Sequence, residues 1–281
     1  MIQWIILVAF LVLLVERIIG RYTFLQNKYR EKVITQAVIS KIRTLFQSHK
    51  ICHSHGIEHA LWVMTKAKNA LSTIKVRYED RLAILLAALL HDASDAKMWP
   101  GISSNQNEIN ILNDLMEDDS ITSEIKDLTI EMINYVSTRN NGDTIPERAH
   151  KRPWLLIPRY ADRCAALGSI GIKRCHEYTM TKRRPLFTDK TLRATTEEEL
   201  WRIATPKRYQ AYQNKAKESE SMVDHFYDKL LHIGKADTMN PYLNEELRKG
   251  IQPMIDFCIS FGKTGKIPLM DETPLVDSNN P

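Results

Sequence analysis

The residues of this chain best suited to chemistry are histidines and aspartates that can meet around a metal ion. His91 and Asp92 form an adjacent pair at the end of an apolar, helix-like run, Arg81–Leu90. An earlier His59 and a later Asp162 can complete a site with this pair. Neutral imidazole nitrogens and carboxylate oxygens suit a divalent first-row cation, and the oxygen ligands leave Mg and Mn open beside Fe, Co and Ni. The sequence therefore predicts a metal chelate in the order His, His-Asp, Asp.

Three further side chains close to these residues in sequence can take part in chemistry. His55 and His59 lie one helical turn apart, so both can face one cavity if the helix has begun between them, and only one is needed as a ligand. Asp95 follows the His-Asp pair by three residues and can take a proton from water or give one to a leaving group. Lys97 can reach forward as a point charge for phosphate. The alternatives are an exposed turn residue for Asp95 and a surface lysine for Lys97.

Four blocks of sequence surround these residues in a fixed order. They are His55-xxx-His59, Leu89-Leu90-His91-Asp92-xx-Asp95-x-Lys97, Ala161-Asp162-Arg163-xx-Ala166-Leu167-Gly168-x-Ile170-Gly171-Ile172-x-Arg174, and His225-Phe226-Tyr227-Asp228-Lys229-Leu230-Leu231. Together they resemble the HD-domain phosphohydrolase superfamily, and within it the small single-metal enzymes that act as nucleotide phosphohydrolases. The resemblance covers residues 47–261. It departs from the family at Tyr160 and Ala165, where the family usually has carboxylates near the last ligand.

The resemblance implies roles for individual residues. It makes His59, His91, Asp92 and Asp162 the ligands of one divalent cation, and it leaves His55 beside the site as a second catalytic candidate with Asp95. It also implies a set of substrate-binding side chains: Lys97, Arg163, Arg174, His225 and Lys229. For the cations at 163, 174 and 229, an ordinary salt bridge is an equally compatible alternative.

The pattern of apolar residues predicts an all-α protein. Apolar residues recur every three and four positions in the segments 30–48, 57–74, 79–93, 105–117, 121–138, 153–178, 196–233 with interruptions, and 243–262. The segment 83–90 is apolar on every side, which predicts a central buried helix. The resemblance implies that this helix belongs to an HD-domain helical bundle. The basic segment 181–196, which contains Pro185, is predicted to be irregular.

Length and composition are compatible with one catalytic domain. The chain has 281 residues, of which 43% are hydrophobic, enough to bury one full core. A net charge of +5 is compatible with a phosphate-bearing substrate or an anionic membrane surface, and it is too small and too dispersed to indicate nucleic-acid binding by itself. The four cysteines have no Cys-x-x-Cys spacing, so we expect reduced thiols.

The first twenty residues form a separate apolar segment. No polar residue occurs from Trp4 to Val15, and the basic residues follow this run. This pattern predicts a single membrane-spanning helix with the catalytic domain on the cytoplasmic side. The alternative is a buried or dimer-forming helix. The predicted organisation is therefore an anchor at 1–20, a catalytic domain at 30–264 and a disordered tail at 265–281.

The function implied by the resemblance is hydrolysis of a nucleotide. A nucleoside triphosphate cleaved to monophosphate and pyrophosphate is the favoured reaction, with 5'-nucleotidase or ppGpp-type hydrolysis as alternatives. An alternative of another class is a catalytically silent HD module that acts as a membrane-tethered binding protein. The expected partners are a small phosphorylated substrate and the membrane, without nucleic acid, and no oligomeric state follows from the sequence.

Overall fold

The computed structural model describes residues 2–49, 51, 56–95, 98–137, 141–214, 216 and 218–268, and every regular element within these ranges is helical. The all-α prediction is therefore confirmed. The helices are α1 (Ile2–Ser48), α2 (Ile57–Ala70), α3 (Tyr78–Leu90), α4 (Gln106–Glu117), α5 (Ser123–Val136), α6 (Glu147–Lys151), α7 (Ile157–Ala165), α8 (Gly168–Thr181), α9 (Glu197–Ile203), α10 (Pro206–Gln213), α11 (Met222–His225), α12 (Leu231–Ile233) and α13 (Pro241–Thr264).

The helix α3 is the centre of the core, as its uniformly apolar sequence predicts. Every side chain from Leu82 to Leu90 is buried, and the helix packs against α1, α2, α5 and α7. Its first turn carries Glu79 and Asp80, whose negative charges suit the positive end of the helix dipole. Because α3 is enclosed on all sides, its C-terminal end is held firmly at the edge of the core.

The helical stretch predicted at 153–178 is broken twice in the structure. A short 3₁₀ turn at Pro153–Leu156 precedes α7, which places Pro158 in the first turn of that helix, where a missing N–H is tolerated. The second break follows Ala165. Gly168 has φ +66, a backbone conformation that side-chain-bearing residues rarely adopt, and the chain changes direction there before α8.

The second half of the chain covers one side of this core. The segment 182–196 is irregular, as predicted, and α11 and α12 are joined by a π-helical segment, Phe226–Leu230. The helix α13 packs against α7 and α8. Gly262 on α13 lies so close to the backbone of Ala194 that a methyl group there would overlap the carbonyl oxygen.

The prediction of a membrane-spanning helix at the N-terminus is wrong. In the part of the chain that the structure describes, no helix is long and apolar enough to cross a membrane. The apolar run from Trp4 to Val15 amounts to about 18 Å of helix, against a hydrocarbon core of about 30 Å. It ends at Glu16 and Arg17, and α1 continues beyond them to Ser48. The predicted single-pass localisation, which rested on this span, is wrong for the same reason.

The end of α13 is marked by Gly265, whose φ of +68 is typical of a helix C-terminus. The predicted tail begins at this residue, and all of it after Pro268 lies outside the described residues. Of the four cysteines, Cys52 also lies outside them. Cys164, Cys175 and Cys258 are free thiols, as expected.

Candidate metal centre

Three helices that pack against one another each deliver part of the predicted chelate. His59 lies in the first turn of α2, and His91 is the residue that ends α3, followed directly by Asp92. Asp162 lies in α7. Both imidazoles are buried, whereas the side chains of Asp92 and Asp162 keep 20% and 31% of their surface exposed. The site therefore has a closed imidazole side and an open carboxylate side.

The donor atoms of these residues converge on one point. The Nε2 atoms of His59 and His91 lie 3.2 Å apart. Asp162 Oδ1 lies 3.3 Å from His59 Nε2 and 3.6 Å from His91 Nε2. Asp92 Oδ2 lies 3.5 Å and 3.4 Å from the same two nitrogens. The donor atoms of His59, His91 and Asp162 all lie within 4.8 Å of one another, and Asp92 contacts both imidazoles of this group.

The hydrogen bonding of His91 fixes which ring nitrogen faces the cluster as a ligand. Its Nδ1 lies 2.9 Å from the carbonyl oxygen of Ala88, and a carbonyl can only accept, so Nδ1 carries the proton. In the neutral ring Nε2 then has a free lone pair. Metal-bound histidines commonly donate their other N–H to a backbone carbonyl in this way. His91 is therefore oriented as a metal ligand by its own helix.

Charge at the cluster favours a cation among its donors. Burial alone lowers the pKa of His91, but the carboxylates of Asp92 and Asp162 outweigh burial and hold this pKa well above its usual value. Burial raises the pKa of both carboxyl groups, yet the two imidazoles outweigh it and hold them well below their usual range. Positive charge between the two carboxylates is thus strongly stabilised.

These features fit a divalent metal ion. Donor atoms that share one cation with bonds of about 2.1 Å lie about 3.0–3.5 Å apart. The observed separations, from 3.2 to 3.6 Å, are close to this spacing. The mixture of imidazole nitrogen and carboxylate oxygen suits first-row divalent cations and does not choose among them. His59, His91 and Asp162 would hold such an ion, with Asp92 as a further donor.

A buried glutamate that the sequence analysis missed contacts the turn after α3. Glu108, in the first turn of α4, is 1% exposed. Its Oε1 accepts a 2.9 Å hydrogen bond from the N–H of Ser94, and its Oε2 accepts one from the Ser94 hydroxyl. Burial raises the pKa of Glu108, partly offset by these hydrogen bonds. Glu108 shares one face of α4 with apolar side chains at 111, 112 and 115, and an acid within such a stripe is the signal that could have found it.

Of the two predicted catalytic residues, Asp95 and His55, only Asp95 lies among the described residues. Asp95 follows the chelate in the turn after α3, where its N–H donates to the carbonyl oxygen of Asp92 and its own carbonyl accepts from Met98 and Trp99. Its side chain is partly exposed. His55 and Lys97 lie outside the described residues.

Arg163, a predicted substrate-binding residue, is occupied by contacts with a neighbouring loop. Its side chain is 3% exposed, and its Nη2 lies 3.0 Å from the carbonyl oxygen of Gly142 and 2.8 Å from Asp143 Oδ1. Asp143 in turn accepts a hydrogen bond from Tyr209. Arg163 thereby ties the helix that carries Asp162 to the loop before α6.

The other predicted substrate-binding residues lie on α8, α11 and the π-helical segment. Arg174 donates from Nη1 to the carbonyl oxygen of Ala165, at the end of α7. The ring of His225 lies 5.4 Å from that of Tyr212, and Lys229 Nζ lies 5.9 Å from the centre of the same ring. Tyr212 also lines a cleft of about 320 Å³, together with Thr205, Lys207, Arg208, Ala211 and Asp228. His225 and Lys229 thus lie beside Tyr212, one of the side chains that line this cavity.

Comparison with known proteins identifies a viral relative. No family model matches the chain. The chain is 36% identical over 231 residues to the uncharacterized protein L803 of Acanthamoeba polyphaga mimivirus, an alignment that covers 78% of this chain and 93% of that protein.

Solved structures show the fold of the chain. A HD-superfamily hydrolase from Bacillus thuringiensis superposes with a TM-score of 0.55 at 20% identity, covering 83% of this chain and 97% of that one. Bacillus subtilis YpgQ, solved in complex with ADP, gives a TM-score of 0.55 at 16% identity and covers 86% and 99%. A Lactobacillus plantarum protein gives 0.58 at 17% identity, with coverages of 83% and 95%. The helical architecture is therefore that of an HD domain.

Proposed function

We propose that this chain, which belongs to the family of the mimivirus protein L803, is a metal-dependent phosphohydrolase that acts on a nucleotide. The observation that carries the proposal is the convergence of His59, His91 and Asp162, with Asp92 in contact, at the open edge of an HD-type core. When bound by these residues, a divalent cation supplies a Lewis acid for a phosphoryl oxygen and lowers the pKa of a water molecule.

The favoured reaction is hydrolysis of a nucleoside triphosphate to a monophosphate and pyrophosphate. Water adds to the α-phosphorus, and the bond from this phosphorus to the oxygen that bridges to the β-phosphorus breaks, so pyrophosphate leaves. Asp95 takes the proton from the water, and His55 assists as a second proton carrier. The support for a nucleotide substrate is the fold shared with YpgQ, which was crystallised with ADP.

The phosphate groups of the substrate are proposed to lie against cations of the second half of the chain. Arg174, Lys229 and His225 remain candidates, and the cleft beside Tyr212 supports a ligand-binding role for the last two. Lys97 is a further candidate from its motif. We assign Arg163 a different role, because its guanidinium already pairs with Asp143 and the Gly142 carbonyl. It holds the ligand helix α7 in place.

The test is a substrate screen with the full-length protein. Purified protein is incubated with nucleoside tri-, di- and monophosphates and ppGpp in the presence of Mn, Mg or Co, and the released phosphate or pyrophosphate is identified by ion chromatography. The expected result is metal-dependent pyrophosphate release, lost in Asp162→Ala. Release of inorganic phosphate from nucleoside monophosphates would instead identify the protein as a 5'-nucleotidase. Metal binding without turnover of any substrate would indicate a binding module and overturn the proposal.

A further inference from the structure

The turn that carries the metal ligands is clamped by the first turn of a different helix. The N-terminal end of α4 contacts residues 93 and 94, directly after Asp92. Four hydrogen bonds join the two segments, and all of them involve Ser94, Ala93, Asn107 or Glu108.

The contact has the form of a helix cap shared between two parts of the chain. The first N–H groups of a helix have no partner within it, and a side chain just before the helix usually accepts from them. In α4 that position is Asn105, which has φ 59 and donates its side-chain amide to Asn134. The cap comes instead from Ser94, whose Oγ accepts a 2.9 Å hydrogen bond from the N–H of Asn107.

Glu108 completes the cap in the opposite direction. In a capping box, the third helical residue returns a carboxylate to the N–H of the capping residue. Glu108 occupies this third position and accepts from both the N–H and the hydroxyl of Ser94. Asn107 adds a hydrogen bond of 2.6 Å from its amide to the carbonyl oxygen of Ala93. The backbone of residues 93 and 94 is thereby fixed on both its N–H and its C=O side.

We propose that Glu108 is a positioning residue of the metal centre, which acts through Ser94 to hold the turn that carries Asp92 and Asp95. Asp92 precedes the clamped residues and Asp95 follows them, so loss of the clamp frees both carboxylates together. The hydrogen bonds of Glu108 go to Ser94, and burial, together with the nearby negative charge of Asp92, raises its pKa. Partners beyond the ligands of a metal site typically change metal affinity or activity by about 10–100-fold when they are removed.

The experiment measures metal affinity and turnover separately. Mn²⁺ binding is measured by electron paramagnetic resonance in the full-length wild type and in Glu108→Ala, Ser94→Ala, the double variant and Glu108→Gln. Glu117→Gln, an exposed acid on the same helix, is the matched control. We expect about 10-fold weaker Mn²⁺ binding in each alanine variant. The loss in the double variant should be smaller than the sum of the two single losses, because both substitutions remove the hydrogen bond between the Ser94 hydroxyl and Glu108.

Two comparisons separate positioning from general stability. Glu108→Gln keeps an acceptor for the Ser94 N–H and should recover much of the Mn²⁺ affinity, whereas Glu117→Gln should match the wild type. Folded Glu108→Ala or Ser94→Ala with wild-type Mn²⁺ affinity overturns the inference, as do additive losses in the double variant. If Glu108→Ala does not fold, Ser94→Ala and Glu108→Gln decide the matter. The inference rests on the proposed metal site, but not on the substrate: Mn²⁺ binding without phosphohydrolysis leaves this test valid while the proposed function fails.

Discussion

His59 and His91 stand 32 positions apart in the sequence, yet their Nε2 atoms lie 3.2 Å from each other. Two imidazole nitrogens gain little from this approach unless a positive charge, either a proton or a metal ion, lies between them. The nearby oxygens of Asp92 and Asp162 make the shared position favourable for a cation. The ends of two packed helices thus form the closed side of the candidate metal site.

The first prediction concerns Asp92 as a ligand. Asp92→Ala should abolish turnover, because it removes an oxygen donor from the metal site. It should also weaken Mn²⁺ binding by more than the loss of about 10–100-fold that is typical when a residue supporting a ligand is removed. Its helical circular-dichroism signal should survive, since the side chain is partly exposed. Asp127→Ala, an exposed aspartate on α5, is the control. Stoichiometric Mn²⁺ at wild-type affinity in Asp92→Ala would remove Asp92 from the ligand set.

The second prediction separates proton transfer from metal binding. Asp95→Asn keeps the size of the side chain but cannot accept a proton as a carboxylate does. We expect kcat to fall by about 10²–10⁴-fold, the usual cost of losing a general acid or base, with Mn²⁺ content unchanged. Steady-state kinetics and metal analysis on the same sample provide the measurement. An unchanged kcat would return Asp95 to the role of an ordinary turn residue.

The third prediction distinguishes two cations that the sequence placed in one group. Arg163→Ala removes a buried guanidinium from Asp143 and the Gly142 carbonyl, so it should lower the free energy of unfolding by about 1–3 kcal/mol. Lys229→Ala should leave stability nearly unchanged and raise KM by about tenfold, the effect of losing about 1.4 kcal/mol of phosphate binding. Urea unfolding and substrate titration measure the two quantities. The reverse pattern would show that Arg163 binds the substrate and that Lys229 supports the fold.

The parts of the structure that the sequence could predict are those encoded locally. The uniformly apolar run of α3 identifies the core helix, and the His-Asp pair at its end identifies the edge where the metal ligands meet. The clamp of Glu108 on Ser94 depends on where α4 returns after an irregular segment, which no spacing between positions 94 and 108 specifies. The contacts of Arg163 could not be predicted for a related reason, because its motif gives no information on the loop carbonyl and carboxylate that it meets in the fold.

The apolar N-terminus shows how a composition signal can mislead. The run to Val15 has the character of a membrane segment, but charged residues follow at Glu16, Arg17 and Arg21 within the same helix. A membrane-spanning helix requires about 20 consecutive residues that are predominantly apolar. Over the residues that the structure describes, α1 contains no such stretch.

The last prediction concerns stability in the presence of the metal. An ion that binds only the folded state stabilises it by about 2.7 kcal/mol at a concentration 100 times its Kd. For a protein of this size, that corresponds to a rise in Tm of about 5–10 °C. We therefore expect EDTA-treated protein to unfold at a lower temperature than protein with Mn²⁺, and re-addition of Mn²⁺ to restore the Tm in differential scanning calorimetry. Asp162→Asn, which retains the shape of the side chain but weakens the centre, should respond much less to Mn²⁺ than the wild type. An equal rise in Tm in both proteins would mean that the ion binds elsewhere, and the assignment of His59, His91 and Asp162 as its site would fail.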